Sequence, residues 1–358
     1  MKTPLAVIGL RGFPGVQGGV ERHCADIIPL LGITTRVYRR KPYVRSNDVP
    51  PQGIEFKDLP STRIKGFEAA FHTLLCVLHL MVHPVHTVNV HNIGPGLFIP
   101  LLKLCGMKVV LTYHSTNYLH SKWGRIAKAI LRAGEKISLR CSDKIIFVSP
   151  EKHSHFKHLG SKAIFIPNPA EVKTPTAETD FLEKIGVKPA GYILAVGRIT
   201  PEKGFDLLVK AAQRVNPSYK IVIAGDCDHS PALLSELKAA DRGTRIVFAG
   251  YVDGENLRQL YSHATLFVLP SRHEGLSLAL LEAMSYGLPV CVSDIEANRL
   301  SQVPSDSFFA CGDADALADA IGSKISSCHT RHEYDLSQYS LSSVISSTKG
   351  IYETLFAQ

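Results

Sequence analysis

Short β-branched and aliphatic runs recur along the chain with helix-length stretches between them: Leu5 to Gly9, Lys108 to Thr112, Lys144 to Val148, Tyr192 to Val196, Lys220 to Ala224, Arg245 to Phe248, Thr265 to Leu269 and Pro289 to Val292. Runs that stay apolar throughout, rather than on alternate residues, suit strands buried on both faces, as in a parallel sheet covered by helices. The fold class expected is therefore α/β, doubly wound. The series is interrupted at Pro167-Asn168-Pro169, and a Thr- and Pro-rich stretch, Glu171 to Thr179, reads as a linker. We read two Rossmann-like domains, 1–168 and 169–340, which the length of 358 residues accommodates. Helical spacing at Leu341, Val344, Ile351 and Leu355 predicts a last helix over about 341–358 that either domain could hold, the first included.

Charge divides the chain the same way. Residues 1–168 carry 23 Lys+Arg against 9 Asp+Glu (+14) and residues 169–358 carry 17 against 23 (−6), which sums to the net +8. A basic half beside an acidic one points to an anionic partner: nucleic acid, phospholipid headgroups or a phosphorylated substrate. No zinc-finger spacing, RRM-type aromatic signature or basic repeat accompanies the charge, so nucleic acid is not the partner expected. The 8 cysteines stand singly, away from any disulfide framework or zinc spacing, which fits a reducing cytoplasm. The apolar run Leu5 to Leu10 stops at Arg11, short of a signal peptide. Ala69 to Val82 and Leu97 to Leu104 fall short of the roughly 20 residues a membrane span needs. They are either core helices or, with the basic half, a peripheral contact with an anionic membrane face through Arg39, Arg40, Lys41, Arg45, Lys65, Lys103, Lys122 and Arg125 with Trp123 as an anchor.

Three loops carry residue types suited to chemistry. Arg11 to Glu21 contains Gly12, Gly15, Gly18 and Gly19 directly after the first strand, where glycines let backbone N–H groups approach a phosphate and the next helix N-terminus favours an anion. It lacks the G-x-G-x-x-G spacing and the later acidic residue of a nicotinamide site, Arg36 to Lys41 being basic. Gly197-Arg198 and Glu202-Lys203-Gly204 place two cations five positions apart across a turn, able to converge on a pyrophosphate or to remain solvated. Pro270 to Ser277 contains Glu274 before a helix, with backbone N–H groups at Gly275 and Leu276. Glu282 follows in an apolar helical run, where a carboxylate either takes a polar ligand such as a ribose diol or reaches solvent from the helix edge.

Glu274 and Glu282, with seven residues between them and Arg198 and Lys203 upstream, resemble the donor-site motifs of family 4 glycosyltransferases. These are GT-B enzymes, in which two Rossmann-like domains face each other across a cleft. The Gly18-Gly19 loop is similar to the family's N-terminal phosphate loop. Asn92 to Gly96 and Ser293 to Arg299 are similar to the bacterial polysaccharide branch that includes rhamnosyltransferases. The resemblance implies that Arg198 and Lys203 neutralise the leaving diphosphate, that Glu282 binds the ribose, and that Glu274 with Gly275 and Leu276 holds the donor sugar. His114, in Thr112-Tyr113-His114-Ser115, matches the histidine that contacts that sugar from the first domain. Ser115 stands where an acidic residue often follows that histidine, and Pro169 where glycine commonly follows Pro-Asn. Transfer of a hexosyl or deoxyhexosyl unit from a nucleotide sugar to a glycan or lipid-linked hydroxyl is implied, with retention of configuration. A nucleotide-sugar epimerase or sugar phosphorylase on the same fold is the alternative. Asp226-Cys227-Asp228 is formally a metal-nucleotide signature, but its place after a strand and the cations nearby favour a site with no metal and no cofactor. The remaining histidines, His72, His79, His83, His86 and His91, follow no metal-binding spacing and read as structural or acceptor-side.

Overall fold

The computed structural model describes residues 4–16, 18–45, 47–62, 67–116, 118, 124–170, 172–227, 231–241, 245–327 and 331–357. Lys65, Lys122, Trp123 and Asp228, singled out above, lie outside them. The chain divides into two compact units, one of Met1–Pro169 with Gln338–Gln358 and one of Ala170–Ser337.

In the first unit strands and helices alternate as β1 (Leu5–Ile8), α1 (Gly19–Ile27), β2 (Thr35–Arg40), β3 (Ile54–Leu59), α2 (Glu68–Val82), β4 (Thr87–His91), α3 (Ile99–Leu104), β5 (Lys108–Tyr113), α4 (Arg125–Cys141), β6 (Lys144–Phe147), α5 (Pro150–His155) and β7 (Ala163–Phe165). The second continues with α6 (Asp180–Lys184), β8 (Tyr192–Val196), α7 (Phe205–Ala211), β9 (Lys220–Ala224), α8 (Pro231–Ala240), β10 (Ile246–Gly250), α9 (Gly254–His263), β11 (Leu266–Leu269), α10 (Leu278–Ser285), β12 (Val290–Ser293), β13 (Phe308–Phe309) and α11 (Ala314–Ser327). A last helix, α12 (Leu341–Phe356), returns to the first unit.

Both sheets are parallel. Their orders are β3-β2-β1-β4-β5-β6-β7 and β10-β9-β8-β11-β12-β13, so each reverses direction beside its first strand, at β1/β4 and at β8/β11. In an open doubly wound sheet that reversal opens a crevice beyond the carboxyl ends of the strands, where ligands bind. The expected α/β, doubly wound class is the observed one.

Every residue of β1 and β4 is buried, as two-sided helix cover requires. α12 completes that cover: Val344, Ile351, Tyr352 and Leu355 pack into one core cluster with Leu5, Val7, Val37 and Val110. The Tyr352 hydroxyl, buried among them, accepts from Asn89 Nδ2 at 2.7 Å.

One charged run departs from the surface role expected of it. Arg39 and Arg40 lie on β2, and the Arg39 side chain is only 1% exposed. Its Nε and Nη2 donate to the two Asp58 carboxylate oxygens at 2.7 and 2.8 Å, and its Nη1 donates to Asp48 at 2.9 Å. The guanidinium also lies 3.8 Å from the centre of the Phe56 ring. Arg40 pairs with Glu68. These two arginines are therefore structural, because two carboxylates and a ring face already satisfy the buried charge of Arg39.

Candidate functional site

Each unit gathers polar groups at its own switch point. In the second, Gly197 and Arg198 follow β8, and Pro270 to Ser277 follow β11, its neighbour in the sheet. The Lys203 ammonium donates to Glu274 Oε1 at 2.6 Å, and the Ser271 hydroxyl donates to the same oxygen at 2.6 Å. The two expected donor-site residues from separate loops are thus in direct contact, with side chains only 19% and 9% exposed. Gly204, at φ 67°, permits this: a Cβ there would stand 2.0 Å from the Pro270 carbonyl oxygen, so only glycine lets the two loops approach.

A second brace joins the same loops. Arg272 donates in forked fashion to both Asp206 oxygens at 2.7 Å, its backbone N–H donates to Glu202 O at 2.7 Å, and its Nη1 donates to Pro201 O at 2.9 Å. Burial pushes the Asp206 carboxyl up, but hydrogen bonding and charge from Arg272 outweigh it and hold the group below its usual range. Sequence reasoning passed over Arg272, Ser271 and Asp206; Arg272 stood inside the Glu274 motif, but nothing in the chain named Asp206 as its partner.

Arg198 differs from Lys203. Its half-buried guanidinium has no side-chain partner among the described residues, so its charge is available to a ligand at the end of β8. Glu282 lies on α10 with its Oε2 accepting from the Tyr261 hydroxyl at 3.1 Å, and Tyr261 stacks on Tyr286. Glu282 is half-buried, and a buried tyrosine orients it. Leu276 is buried, Gly275 half-buried, and Ser277 caps α10, its Oγ accepting from Leu280 N at 3.4 Å. Asp226 turns its Oδ1 to the Cys227 N–H at 2.7 Å.

In the first unit Gly18 and Gly19 open α1. Here the Glu21 carboxylate folds back to accept from the Arg11 backbone N–H at 3.1 Å and from Arg11 Nε at 3.3 Å. A Cβ on Gly18 would lie 2.0 Å from Glu21 Oε2, so Gly18 is required by this closure whatever the loop binds.

His114, directly after β5, is buried at the β1/β4/β5 end of the sheet and is not alone. His91, the last residue of β4, places Nδ1 2.8 Å from His114 Nε2, and His23 from α1 sets its ring edge-on to His114 with centroids 4.9 Å apart. The Asn168 side-chain oxygen lies 2.8 Å from His23 Nδ1, and Cys24 Sγ lies 3.6 Å from His91 Nε2. Burial lowers all three histidines: His23 to about 4, against a rise contributed by Asn168 and Asp26, and His91 and His114 well below their ordinary value, with neighbouring imidazoles adding to the drop. At neutral pH the cluster is therefore uncharged, each ring free to donate from one nitrogen and accept at the other.

The ligand-capable nitrogens of His23, His91 and His114 lie within 4.8 Å of one another, a set whose donor chemistry could hold a metal ion. His91 follows no metal-binding spacing in the sequence, and the fold alone brings it into this set. Positions 23, 91 and 114 have no motif spacing and meet only because α1 packs where β4 and β5 end. His72, by contrast, is buried with its Nε2 3.2 Å from Arg39 O, and His79 Nδ1 lies 2.8 Å from the Tyr38 hydroxyl, both structural placements.

Two parallel doubly wound units, each with its polar residues at the strand-order reversal, define the GT-B architecture. Residues 17–173 match the family model described as Glycosyltransferase Family 4, and residues 190–326 match that of Glycosyl transferases group 1, so each unit carries a glycosyltransferase sequence signature. Among curated relatives, an uncharacterized glycosyltransferase of Methanocaldococcus jannaschii is 36% identical over 32% of this chain and 30% of its own. The O-antigen chain mannosyltransferase B of Escherichia coli is 33% identical over 41% of this chain and 40% of its own. Alpha-D-kanosaminyltransferase of Streptomyces kanamyceticus is 25% identical over 60% of this chain and 61% of its own. The matches thus span less than two thirds of these relatives' lengths. Among solved structures, a sucrose-phosphate synthase from Thermosynechococcus elongatus superposes with TM-score 0.80 at 21% identity, covering 99% of this chain and 100% of that one. Anabaena HepE in complex with UDP-glucose does so with TM-score 0.71 at 16% identity, covering 99% and 95%. The named relatives transfer mannosyl and kanosaminyl units, so the narrower resemblance to rhamnosyltransferases gains no support from them.

Proposed function

We propose that the protein transfers a hexosyl or deoxyhexosyl unit from a nucleotide-diphosphate sugar to a hydroxyl acceptor, with retention of configuration and without a metal. The observation that carries this reading is the Lys203–Glu274 contact at the β8/β11 switch point, where Arg198 has no side-chain partner among the described residues. As the donor C1–O bond breaks, positive charge grows on the sugar and negative charge on the departing diphosphate. Preorganised cations aimed at that diphosphate lower the barrier most. Arg198 offers a free fork for one phosphate; Lys203, positioned by Glu274, offers a point charge to the next. A sugar hydroxyl seated at Glu274 meets a carboxylate already fixed by Ser271 and Lys203. Glu282, oriented by Tyr261, takes the ribose diol. Gly18 and Gly19 offer the start of α1 to a phosphate, and Gly275 and Leu276 the start of α10.

His114 acts on the donor sugar as a neutral ring in this reading, because a buried imidazole that stays uncharged can donate or accept a hydrogen bond. The acceptor proposed is a lipid-linked glycan intermediate of bacterial surface-polysaccharide assembly, reached from the cytoplasmic face. A rhamnosyl or glucosyl donor is the starting choice.

Thermal-shift measurement against UDP, GDP, dTDP and their sugars tests the donor assignment. A nucleotide at 100 times its dissociation constant is expected to stabilise the wild type by about 2.7 kcal/mol. The Arg198→Ala variant is expected to lose most of that gain while keeping its unliganded melting temperature. No shift with any nucleotide diphosphate or nucleotide sugar refutes the reading.

A further inference from the structure

Among the described residues, thirteen large hydrophobic side chains are exposed, and eight belong to three helices of the first unit. They are Leu74, Leu78, Met81 and Val82 of α2, Leu101 and Leu104 of α3, and Ile126 and Ile130 of α4. The helices are neighbours, α3 packing against both of the others. Exposure is high where it counts: 74% at Val82, 83% at Leu104 and 79% at Ile126. Among the described residues no helix is long and apolar enough to cross a membrane.

The unusual member is α4. A surface helix ordinarily turns its apolar stripe to the core. Here Ile126, Ala129, Ile130 and Ala133, spaced i, i+3, i+4 and i+7, are all exposed, while the residues facing inward are Gly134, Ser138 and Leu139. Small residues make that inverted seating possible: a Cβ on Gly134 would stand 2.6 Å from the Ile93 carbonyl oxygen, and Gly96 meets Ser138 in the same way. Close backbone approach holds the helix with Leu139 inward and Leu131 and Ile137 half-buried, and Ile126 and Ile130 are left outside.

Cations flank this stripe. Arg125, Lys128, Arg132, Lys136 and Arg140 all lie on α4, and none is in an ion pair among the described residues. The one acid of the helix, Glu135, is turned away to the hydroxyls of Tyr113 and Tyr118. The nearby Asp143 is engaged by Lys103 Nζ at 2.7 Å. The face is therefore apolar at its centre, positive along its edge, and neutralised within the fold wherever an acid occurs.

We propose that the outward face of α2, α3 and α4 seats the first unit on an anionic bilayer, Ile126 and Ile130 entering the headgroup boundary and the α4 cations meeting anionic lipid. An amphipathic surface of this kind binds through buried apolar area plus about 1 kcal/mol per cation near the surface. This deepens the lipid-linked acceptor reading above by naming the surface, and it moves the contact away from Arg39 and Arg40.

The test is co-sedimentation with vesicles of phosphatidylcholine alone and of phosphatidylcholine with phosphatidylglycerol, in 0.05 and 0.5 M salt, roughly a threefold change in Debye length. Wild type is expected on the anionic vesicles at low salt and in the supernatant with neutral ones. Each cation removed lowers partitioning about fivefold, so R125Q/K136Q/R140Q is expected to bind about 100-fold more weakly. I126N/I130N is expected to lose binding as well, with an unchanged circular dichroism spectrum, since both side chains point outward. Equal sedimentation of wild type and both variants overturns the proposal. A concentration-dependent dimer that I126N/I130N dissolves also overturns it, giving the face to a second copy of the chain. Transfer to a water-soluble acceptor is assayed alongside. Activity without sedimentation refutes the surface and spares the reaction, and sedimentation without nucleotide binding does the reverse.

Discussion

Lys203 and Glu274 form one device in this structure, so a double-mutant cycle on them is the sharpest test of the donor site. The pair is separated by 2.6 Å with side chains 19% and 9% exposed, and Ser271 shares the same carboxylate oxygen. A hydrogen bond between charged groups contributes about 1.5–3 kcal/mol, and deleting one partner of a buried pair costs about 3–5 kcal/mol because the other is left uncompensated. Lys203→Met leaves a nearly buried carboxylate with Ser271, and a loss of about 3 kcal/mol is expected, the lower end because Lys203 itself is partly solvated. Glu274→Gln keeps an acceptor for both Ser271 and Lys203, and about 1.5 kcal/mol is expected. The double variant buries no lone charge, so its loss should fall short of the sum by about 1.5–2 kcal/mol. The only tryptophan, Trp123, belongs to the other unit, so fluorescence does not follow this one. Amide hydrogen exchange in peptides spanning β8 and β11 does. Losses that add to within about 0.3–0.5 kcal/mol would show the two residues to be independent and refute the coupled site. In turnover, Lys203→Met is expected to fall by roughly 10² to 10³, the effect of losing one preorganised charge-stabilising donor. Wild-type turnover in that variant would free Lys203 of any role at the diphosphate.

Arg39→Met should destabilise the first unit by about 3–5 kcal/mol in urea, since it strands Asp58 and Asp48; a change under about 0.5 kcal/mol would return Arg39 to the surface. The His23 pKa falls from 6.5 to about 4 on folding, so the unfolded chain takes up the proton first: the stability gained by keeping the ring neutral is complete above pH 6.5 and is lost as pH falls toward 4. That amounts to about 3 kcal/mol, and the wild type should lose this much more than His23→Gln between pH 7 and 4; parallel urea curves would contradict it. Transfer should survive exhaustive chelation; a complete loss restored only by added Mg²⁺, Mn²⁺ or Zn²⁺ would instead assign a metal to the His23–His91–His114 cluster or to the loop of Asp226.

The apolar runs of the strands named from sequence pointed to the α/β class, because strands buried on both faces are mostly apolar along their length. β2 escaped that logic. Its sequence, Thr35 to Arg40, holds three arginines and reads as a solvated basic stretch, yet Arg39 is among the largest fully buried side chains. Nothing local announces this, since the charge is met by Asp58 on β3 and Asp48 in the preceding loop, partners that only the pairing of β2 with β3 supplies. The donor loops were legible as cations and carboxylates after strands. That Lys203 is bound to Glu274 follows from β8 and β11 becoming neighbours through a crossover, which no spacing encodes. His114 was visible as a strand-end histidine, whereas His23 and His91 became its partners only when α1 packed at the ends of β4 and β5, 23 to 91 positions apart in the chain. Backbone periodicity is a property of adjacent residues and so is written in the sequence. The charge state and partner of a buried side chain depend on what arrives from elsewhere, and that was decided by the tertiary fold.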